Sequence, residues 1–262
     1  MLLAIDSGNT NVVFGLYKGT HLVNHWRLKN DPQRPADEYI PSLNQWMALS
    51  HHSLDDIDDI IISSVVPETL FQLRLMAQRY FKNKVLVIGE PNVHVDVTVK
   101  TDSPQNLGAD RLVYAFGGYR SYGGPLLIID MGTATTMDVL DKEGSFVGGL
   151  IIPGINLSLK ALADATAKLP VTTFARTNRV ITTSTIEAMQ AGCYWGYVGM
   201  IEGLITQMSK EYAATYGPDK MQVVATGGLA SLLSDDLSLV QEVNVNLTLD
   251  SLAKIYQENR RH

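Results

Sequence analysis

Apolar residues at the start of the chain fall into short runs that are separated by polar turns. Residues 2–5 and 12–17 are two such runs, and they flank the polar, glycine-containing segment 6–11. This pattern is typical of strand, turn and strand, so we expect a β-hairpin. A third run at 21–28, followed by apolar residues at helical spacing over 37–49, extends the order to three strands and a helix.

Residues 59–120 continue to alternate between segments with strand periodicity and segments with helix periodicity. Short apolar runs at 59–66 and 84–89 predict strands, and the amphipathic segment 68–80 between them predicts a helix. Residues 93–100 alternate with period two, and a helix is predicted from about residue 109 to 120. Alternation of strands and helices favours an α/β fold with a largely parallel sheet.

The opening pattern then returns 124 residues later. The apolar run 126–129 leads into Asp130 and a turn rich in glycine and hydroxyl groups, and a second apolar run follows at 137–140. Asp6 occupies the equivalent position in the first copy, so each copy places an aspartate at the end of a strand. Internal repetition on this scale indicates two related halves.

A glycine- and proline-containing break at residues 122–125 separates the two copies. We therefore predict two α/β domains, 1–120 and 121–262. Sites in open sheets commonly form at the carboxyl ends of strands, so a cleft between the domains is expected to hold the ligand. The second domain is predicted to contain a strand at 221–225 and helices at 154–168, 182–194, 196–214 and 248–260.

Composition and charge exclude several classes of protein. Of 262 residues 45% are hydrophobic and 18% charged, and the net charge of -6 comes without any basic run, so nucleic acid is not an expected partner. Cys193 is the only cysteine, which excludes an intramolecular disulfide and a cysteine-rich zinc site. No basic, apolar leader and no apolar stretch of membrane-spanning length is found, so a cytoplasmic protein without membrane contact is expected.

The two turns have the chemistry of phosphate loops. At Gly8 to Thr10 and at Gly132 and Thr133, backbone N–H groups and hydroxyls can converge on a phosphate. A carboxylate beside a phosphate is repulsive unless a cation lies between them, so Asp6 and Asp130 predict a bound Mg²⁺ or similar hard cation. Either turn alone could be an ordinary hairpin turn with side chain to backbone hydrogen bonds, but the repetition favours a nucleotide site.

Six short motifs stand in order along the chain. They are DSGNTN from residue 6, SSVVP from 63, GADR from 108, DMGTATT from 130, GGLIIPG from 148 and TGG from 226. In this order and spacing they resemble the type III pantothenate kinases of the acetate and sugar kinase, Hsp70 and actin superfamily, over nearly the whole chain. The resemblance implies two ribonuclease-H-like domains, a homodimer, and transfer of the ATP γ-phosphoryl group to the primary hydroxyl of pantothenate, the first step towards coenzyme A.

The resemblance also implies which residues bind ATP and its cations. Asp6 would hold Mg²⁺ directly or through water, and Asp130 would ligate a monovalent cation, K⁺ or NH₄⁺. Thr133 would bind ATP phosphate from the second loop. The first phosphate loop would comprise Asp6, Ser7, Gly8, Asn9, Thr10, Asn11, Val12 and Val13.

Pantothenate would be bound by the GADR segment and by Thr185. Asp110 matches the catalytic base of the family, and Arg111 would orient Asp110 or contact pantothenate, with Gly108 and Ala109 beside them. Without the resemblance, Asp110 reads as a carboxylate at a helix N-terminus and Thr185 as a helix cap. Thr185 is expected to contact pantothenate across the dimer.

Two departures from the family pattern lie near the acceptor. Thr101 stands where the family usually has a tyrosine, and Ser184 replaces a common asparagine. They leave open a kinase of the same fold that acts on another small hydroxylated acid or sugar. A non-catalytic accessory factor for transcription is the other alternative, because the family includes proteins first described in that role.

Overall fold

The computed structural model describes residues 1–81 and 84–260, and these form two compact units. Among the described residues, the first unit consists of 1–81, 84–98, 102–121 and 246–260. The second unit consists of residues 99–101 and 122–245.

Each unit is built on a five-stranded mixed sheet. The strands are β1 (Leu2–Ser7), β2 (Asn11–Lys18), β3 (His21–Lys29), β4 (Asp59–Ser64), β5 (Val85–Val87), β6 (Leu126–Met131), β7 (Ala134–Leu140), β8 (Phe146–Pro153), β9 (Gln222–Thr226) and β10 (Glu242–Val243). The sheet of the first unit has the order β3-β2-β1-β4-β5, and that of the second has the order β8-β7-β6-β9-β10. The two orders are equivalent, which confirms the internal repeat.

The predicted hairpins are present in both sheets. β1 pairs antiparallel with β2, and β6 pairs antiparallel with β7. On the other side β1 pairs parallel with β4, and β6 parallel with β9. Each sheet is therefore half antiparallel and half parallel, rather than largely parallel as expected, because two hairpin connections precede the first helix of each half.

Seven α-helices accompany these strands within the described residues. They are α1 (Tyr39–Leu49), α2 (Pro67–Tyr80), α3 (Ala109–Tyr122), α4 (Ile155–Asp164), α5 (Thr185–Tyr216), α6 (Ala230–Leu233) and α7 (Leu247–Asn259). None of the helices in residues 1–81 and 84–260 combines the length and apolar character that a membrane span requires.

Helices cover both faces of the first sheet. Leu3 and Ile5 of β1 point to a core shared with α1 and α2, whereas Leu2 and Ala4 point to a core shared with α3 and α7. Burial on both faces explains why β1 is a continuous apolar run rather than an alternating one. The polar residue Asp6 follows directly on this run.

The C-terminal helix differs from the predicted domain division. α7 falls within residues 246–262, which the sequence analysis placed in the second domain, but it packs on the sheet of the first unit. Tyr17 of β2 donates a hydrogen bond to Asp250 of α7 at 2.7 Å, and burial together with this bond raises the pKa of Tyr17. Tyr256 of α7 donates a hydrogen bond to Asp59 at the start of β4.

Two further elements differ from the sequence-based expectation. The segments 182–194 and 196–214 are one helix, α5. Each of its four interior glycines costs only about 1 kcal/mol, and the buried side chains along the helix offset this cost. Residues 93–100, all of them described, form no strand beyond a single bridge between Val99 and Phe146. The alternating valines Val93, Val95 and Val97 instead anchor the segment against the core that α3 and α7 share.

Candidate functional site

The turn predicted to be the first phosphate loop consists of the three residues between β1 and β2. The N–H of Gly8 donates to the carbonyl of Asn11 at 3.0 Å and closes the turn, while Asn9 and Thr10 are exposed. Val12 is fully buried in the core, so only its backbone is available to a ligand. The turn therefore presents backbone groups and short polar side chains, which suits phosphate recognition.

Asp6 lies half-buried at the carboxyl end of β1, beside β4. Its register partner on β4 is Ser63, and registered residues on neighbouring strands point to the same face. The Ser63 hydroxyl is fully buried and has no hydrogen-bond partner among the described residues. A carboxylate beside an unsatisfied hydroxyl oxygen is a donor set that fits a hard cation or its hydration shell.

The GADR segment lies on the same side of the first sheet as Asp6. Asp110 is in the first turn of α3, and α3 packs through Val113 and Phe116 on the face to which Asp6 points. A Cβ atom at Gly108 would lie 2.6 Å from Asp110 Oδ1 and 3.7 Å from Val65, which follows β4. The structure thus brings the carboxyl end of β4 and the start of α3 together, and the glycine leaves room for the Asp110 carboxylate.

Asp110 itself is half-buried and held by its own helix. The backbone N–H of Arg111 donates to Asp110 Oδ1 at 2.7 Å. The N–H groups at a helix start also favour a negative charge there. The backbone of its own helix therefore helps to orient the carboxylate.

The turn predicted to be the second phosphate loop is shorter and is in close contact with Gly154. Gly132 and Thr133 form a two-residue turn between β6 and β7, with the Gly132 N–H donating to the Ala134 carbonyl at 3.1 Å. The N–H of Gly154 donates to the Thr133 carbonyl at 3.2 Å, and a Cβ at Gly154 would lie 2.6 Å from the Gly132 carbonyl oxygen. Only glycine fits at position 154 without moving the loop. Thr133 is exposed.

Asp130 lies under the TGG turn that follows β9. It is registered with Thr226 of β9 and Thr136 of β7. Gly227 has φ +91°, and a Cβ there would collide with Asp130 Oδ1 and lie 2.6 Å from the N of Met131. The sequence motif alone gave no reason to connect Gly227 with Asp130, because the contact joins residues 97 positions apart in the chain.

The carboxylates beside the two turns suit cations that are bound partly by the protein and partly by the phosphates of a nucleotide. Within residues 1–81 and 84–260 no group of three or more His, Cys, Asp or Glu side chains could hold a metal ion. Mg²⁺ is usually bound through one or two carboxylates together with substrate phosphates and water. The half-buried carboxylates of Asp6 and Asp130 fit a site of this kind, in which the protein supplies a single carboxylate.

Thr185 and Thr101 lie in the second unit. Thr185 is the first residue of α5 and is exposed, while the cap is Ser184, whose hydroxyl accepts the N–H of Glu187 at 3.2 Å. Thr101 follows Lys100, which donates to Asp141 at 2.7 Å. Burial opposes ionisation of Asp141, but the hydrogen bonds from Lys100 and the Ser145 N–H outweigh it and lower the pKa of Asp141.

Solved structures of low sequence identity share this fold. A structure described as a Baf family transcriptional activator from Campylobacter jejuni matches with a TM-score of 0.59 and 19% identity, over 99% of this chain and 100% of that one. A protein named as a 2-dehydro-3-deoxygalactonokinase from Sinorhizobium meliloti matches with a TM-score of 0.61 and 14% identity, over 98% of this chain and 96% of that one. These likenesses confirm the expected two-domain, actin-like α/β fold.

Curated proteins match the sequence itself over nearly its whole length. The family model described as type III pantothenate kinase matches residues 2–207. Proteins named type III pantothenate kinase from Maricaulis maris and Rhodospirillum rubrum are 46% and 47% identical, each over 99% of this chain and over 98% and 99% of the relative. The chain therefore belongs to the type III pantothenate kinase family.

Proposed function

We propose that this chain transfers the γ-phosphoryl group of ATP to the primary hydroxyl of pantothenate, forming 4′-phosphopantothenate and ADP in the first step towards coenzyme A. The observation that carries the proposal is the 46–47% identity to named pantothenate kinases over 99% of the chain. A cytoplasmic location is part of the proposal, because ATP is the donor and the lone cysteine suits a reducing compartment.

Asp110 is proposed as the catalytic base. The pantothenate hydroxyl oxygen attacks the γ-phosphorus, the bond to the β–γ bridging oxygen breaks, and ADP leaves with the electron pair. The hydroxyl proton passes to the Asp110 carboxylate. In a loose phosphoryl-transfer transition state positioning and charge stabilisation supply most of the catalysis, so the loops are expected to matter as much as the base. Gly108, Ala109 and Arg111 are proposed to line the acceptor beside Asp110.

The two turns are proposed as the ATP phosphate loops. Residues 6–13 would bind phosphates through backbone N–H groups and the Asn9 and Thr10 side chains, with Val12 contributing its backbone only. Thr133 would bind phosphate from the second loop. Mg²⁺ supplies charge neutralisation to the phosphates when bound, and Asp6 would hold it. Asp130 would ligate K⁺ or NH₄⁺.

The function is tested by ADP release from the purified protein. We expect release that requires both Mg-ATP and pantothenate and that is faster in K⁺ than in Na⁺ as the sole monovalent cation. Parallel reactions with other small hydroxylated acids and sugars serve as acceptor controls. Release with one of those acceptors and not with pantothenate would establish a different kinase, and no release with any acceptor would contradict an enzyme role.

A homodimer is also proposed, with Thr185 contacting pantothenate bound to the partner. Large apolar side chains before and within the start of α5 are exposed, with Ile181 at 89% and Val171 at 86%. Val180 and Ile186 are exposed as well. Such a concentration of exposed apolar surface is typical of an interaction site.

Sedimentation velocity tests the dimer. We expect a dimeric wild type, and we expect Ile181→Lys to shift it towards monomer and to raise KM for pantothenate, because a charge replaces apolar contact area. Leu49→Lys is the matched control, since Leu49 is 73% exposed at the end of α1 in the first unit. A fully active wild-type monomer would contradict the assignment of Thr185.

A further inference from the structure

Asn30 touches both ends of the first phosphate loop. It follows β3 directly and is 6% exposed. Its side-chain Nδ2 donates to the Gly8 carbonyl at 2.6 Å, and its backbone N–H donates to the Thr10 carbonyl at 2.8 Å. One buried residue therefore binds the first and the last residue of the turn.

The orientation of the Asn30 amide is set by Thr69. The Thr69 hydroxyl, fully buried in the first turn of α2, donates to Asn30 Oδ1 at 2.8 Å. Because Oδ1 accepts this bond, the amide nitrogen is the atom that faces the Gly8 carbonyl. Thr69, Asn30 and Gly8 form a chain of hydrogen bonds from α2 to the loop.

The contacts also determine where the loop N–H groups point. In a trans peptide unit the C=O and N–H bonds are directed oppositely. With the carbonyls of Gly8 and Thr10 drawn towards buried Asn30, the N–H groups of Asn9 and Asn11 are directed away from it. Preorganised N–H donors stabilise phosphate charge without reorganisation during the reaction.

We propose that Asn30 is a positioning residue for ATP, held in place by Thr69, and that the pair orients the backbone donors of the first phosphate loop. Neither side chain needs to touch the nucleotide. The inference rests on the proposed role of residues 6–13 in ATP binding.

The test compares steady-state constants of Asn30→Asp, Thr69→Val and Thr69→Ser with those of the wild type. Asn30→Asp places a carboxylate oxygen against the Gly8 carbonyl, so we expect KM for Mg-ATP to rise at least about tenfold while KM for pantothenate stays within about twofold. Thr69→Val removes only the hydroxyl, and a rise of roughly threefold is expected. Thr69→Ser should restore the wild-type value.

Asn24→Asp is the matched control. Asn24 lies on β3, the strand that Asn30 follows, is exposed, and donates to the Ser50 hydroxyl at 3.0 Å, away from the loop. The same chemical change there should leave KM for Mg-ATP unaltered. Thermal unfolding of every variant shows whether it is folded, and the valine and serine variants of Thr69 carry the test if Asn30→Asp does not fold.

Calorimetric binding of Mg-AMP-PNP to Asp6→Asn separates this inference from the loop assignment. If Asp6→Asn weakens binding and folded Asn30→Asp and Thr69→Val do not, the role of Asn30 and Thr69 is overturned and the loop assignment stands. If none of the three variants weakens binding, residues 6–13 are not the ATP site, and both the loop assignment and the role of Asn30 and Thr69 are overturned. Equal rises in both KM values would also overturn a positioning role.

Discussion

Turnover by an Asp110→Asn variant should fall at least about a hundredfold, with affinity for Mg-ATP within about twofold of the wild type. Asparagine has the same shape and keeps an oxygen that accepts the Arg111 N–H, so the start of α3 is preserved. It cannot take the hydroxyl proton. The measurement is kcat from coupled ADP release, together with calorimetric binding of Mg-AMP-PNP.

Asp96→Asn is the control for this substitution. Asp96 is exposed in the same unit and pairs with Arg120 at 3.1 Å, a surface interaction worth little to stability, so activity should not change. Unchanged turnover would remove Asp110 from the reaction.

Stimulation by K⁺ should disappear in an Asp130→Asn variant. The ratio of turnover in K⁺ to turnover in Na⁺ is expected to fall to about one, because the amide removes the anionic ligand. Asparagine has nearly the same volume as aspartate and fills the same space against Gly227, so the position of the TGG turn should not change. Turnover in K⁺ should also fall, because the variant no longer holds the cation whose positive charge offsets the negative charge of the ATP phosphates.

The control is Asp219→Asn, an exposed aspartate between α5 and β9 in the same unit. It removes the same charge from the chain without altering the end of β6, and its K⁺ to Na⁺ ratio should equal that of the wild type. A wild-type ratio in Asp130→Asn would place the monovalent cation elsewhere. A lost ratio in both variants would indicate that net charge, rather than a ligand, is responsible.

Much of the fold follows from local pattern. The apolar runs that end at Asp6 and Asp130 predicted the two hairpins, and the repeat predicted two related halves, whose sheets have equivalent strand orders in the structure. The motif at 108 placed Asp110 at a helix start, where the structure has it. The roles of these residues in binding and catalysis remain predictions.

Local pattern failed where long-range packing outweighed it. The sequence pattern predicted two helices, 182–194 and 196–214, but buried residues along α5 stabilise one continuous helix. The period of residues 93–100 suggested a strand, although its valines are held by side-chain packing rather than by a ladder. In each case tertiary contacts offset a small local preference.

The two strand, aspartate, turn and strand units follow from the sequence alone, because an apolar run that ends in a polar, glycine-containing turn is a pattern of residues adjacent in the chain. The packed structure was needed to show that α7 covers the first sheet and that Asn30 is hydrogen-bonded to the first turn. It was also needed to show that Gly154 is in close contact with the second turn and Gly227 with Asp130. Such contacts join residues distant in sequence, and their hydrogen bonds and close approaches depend on the packed backbone, which no local pattern encodes.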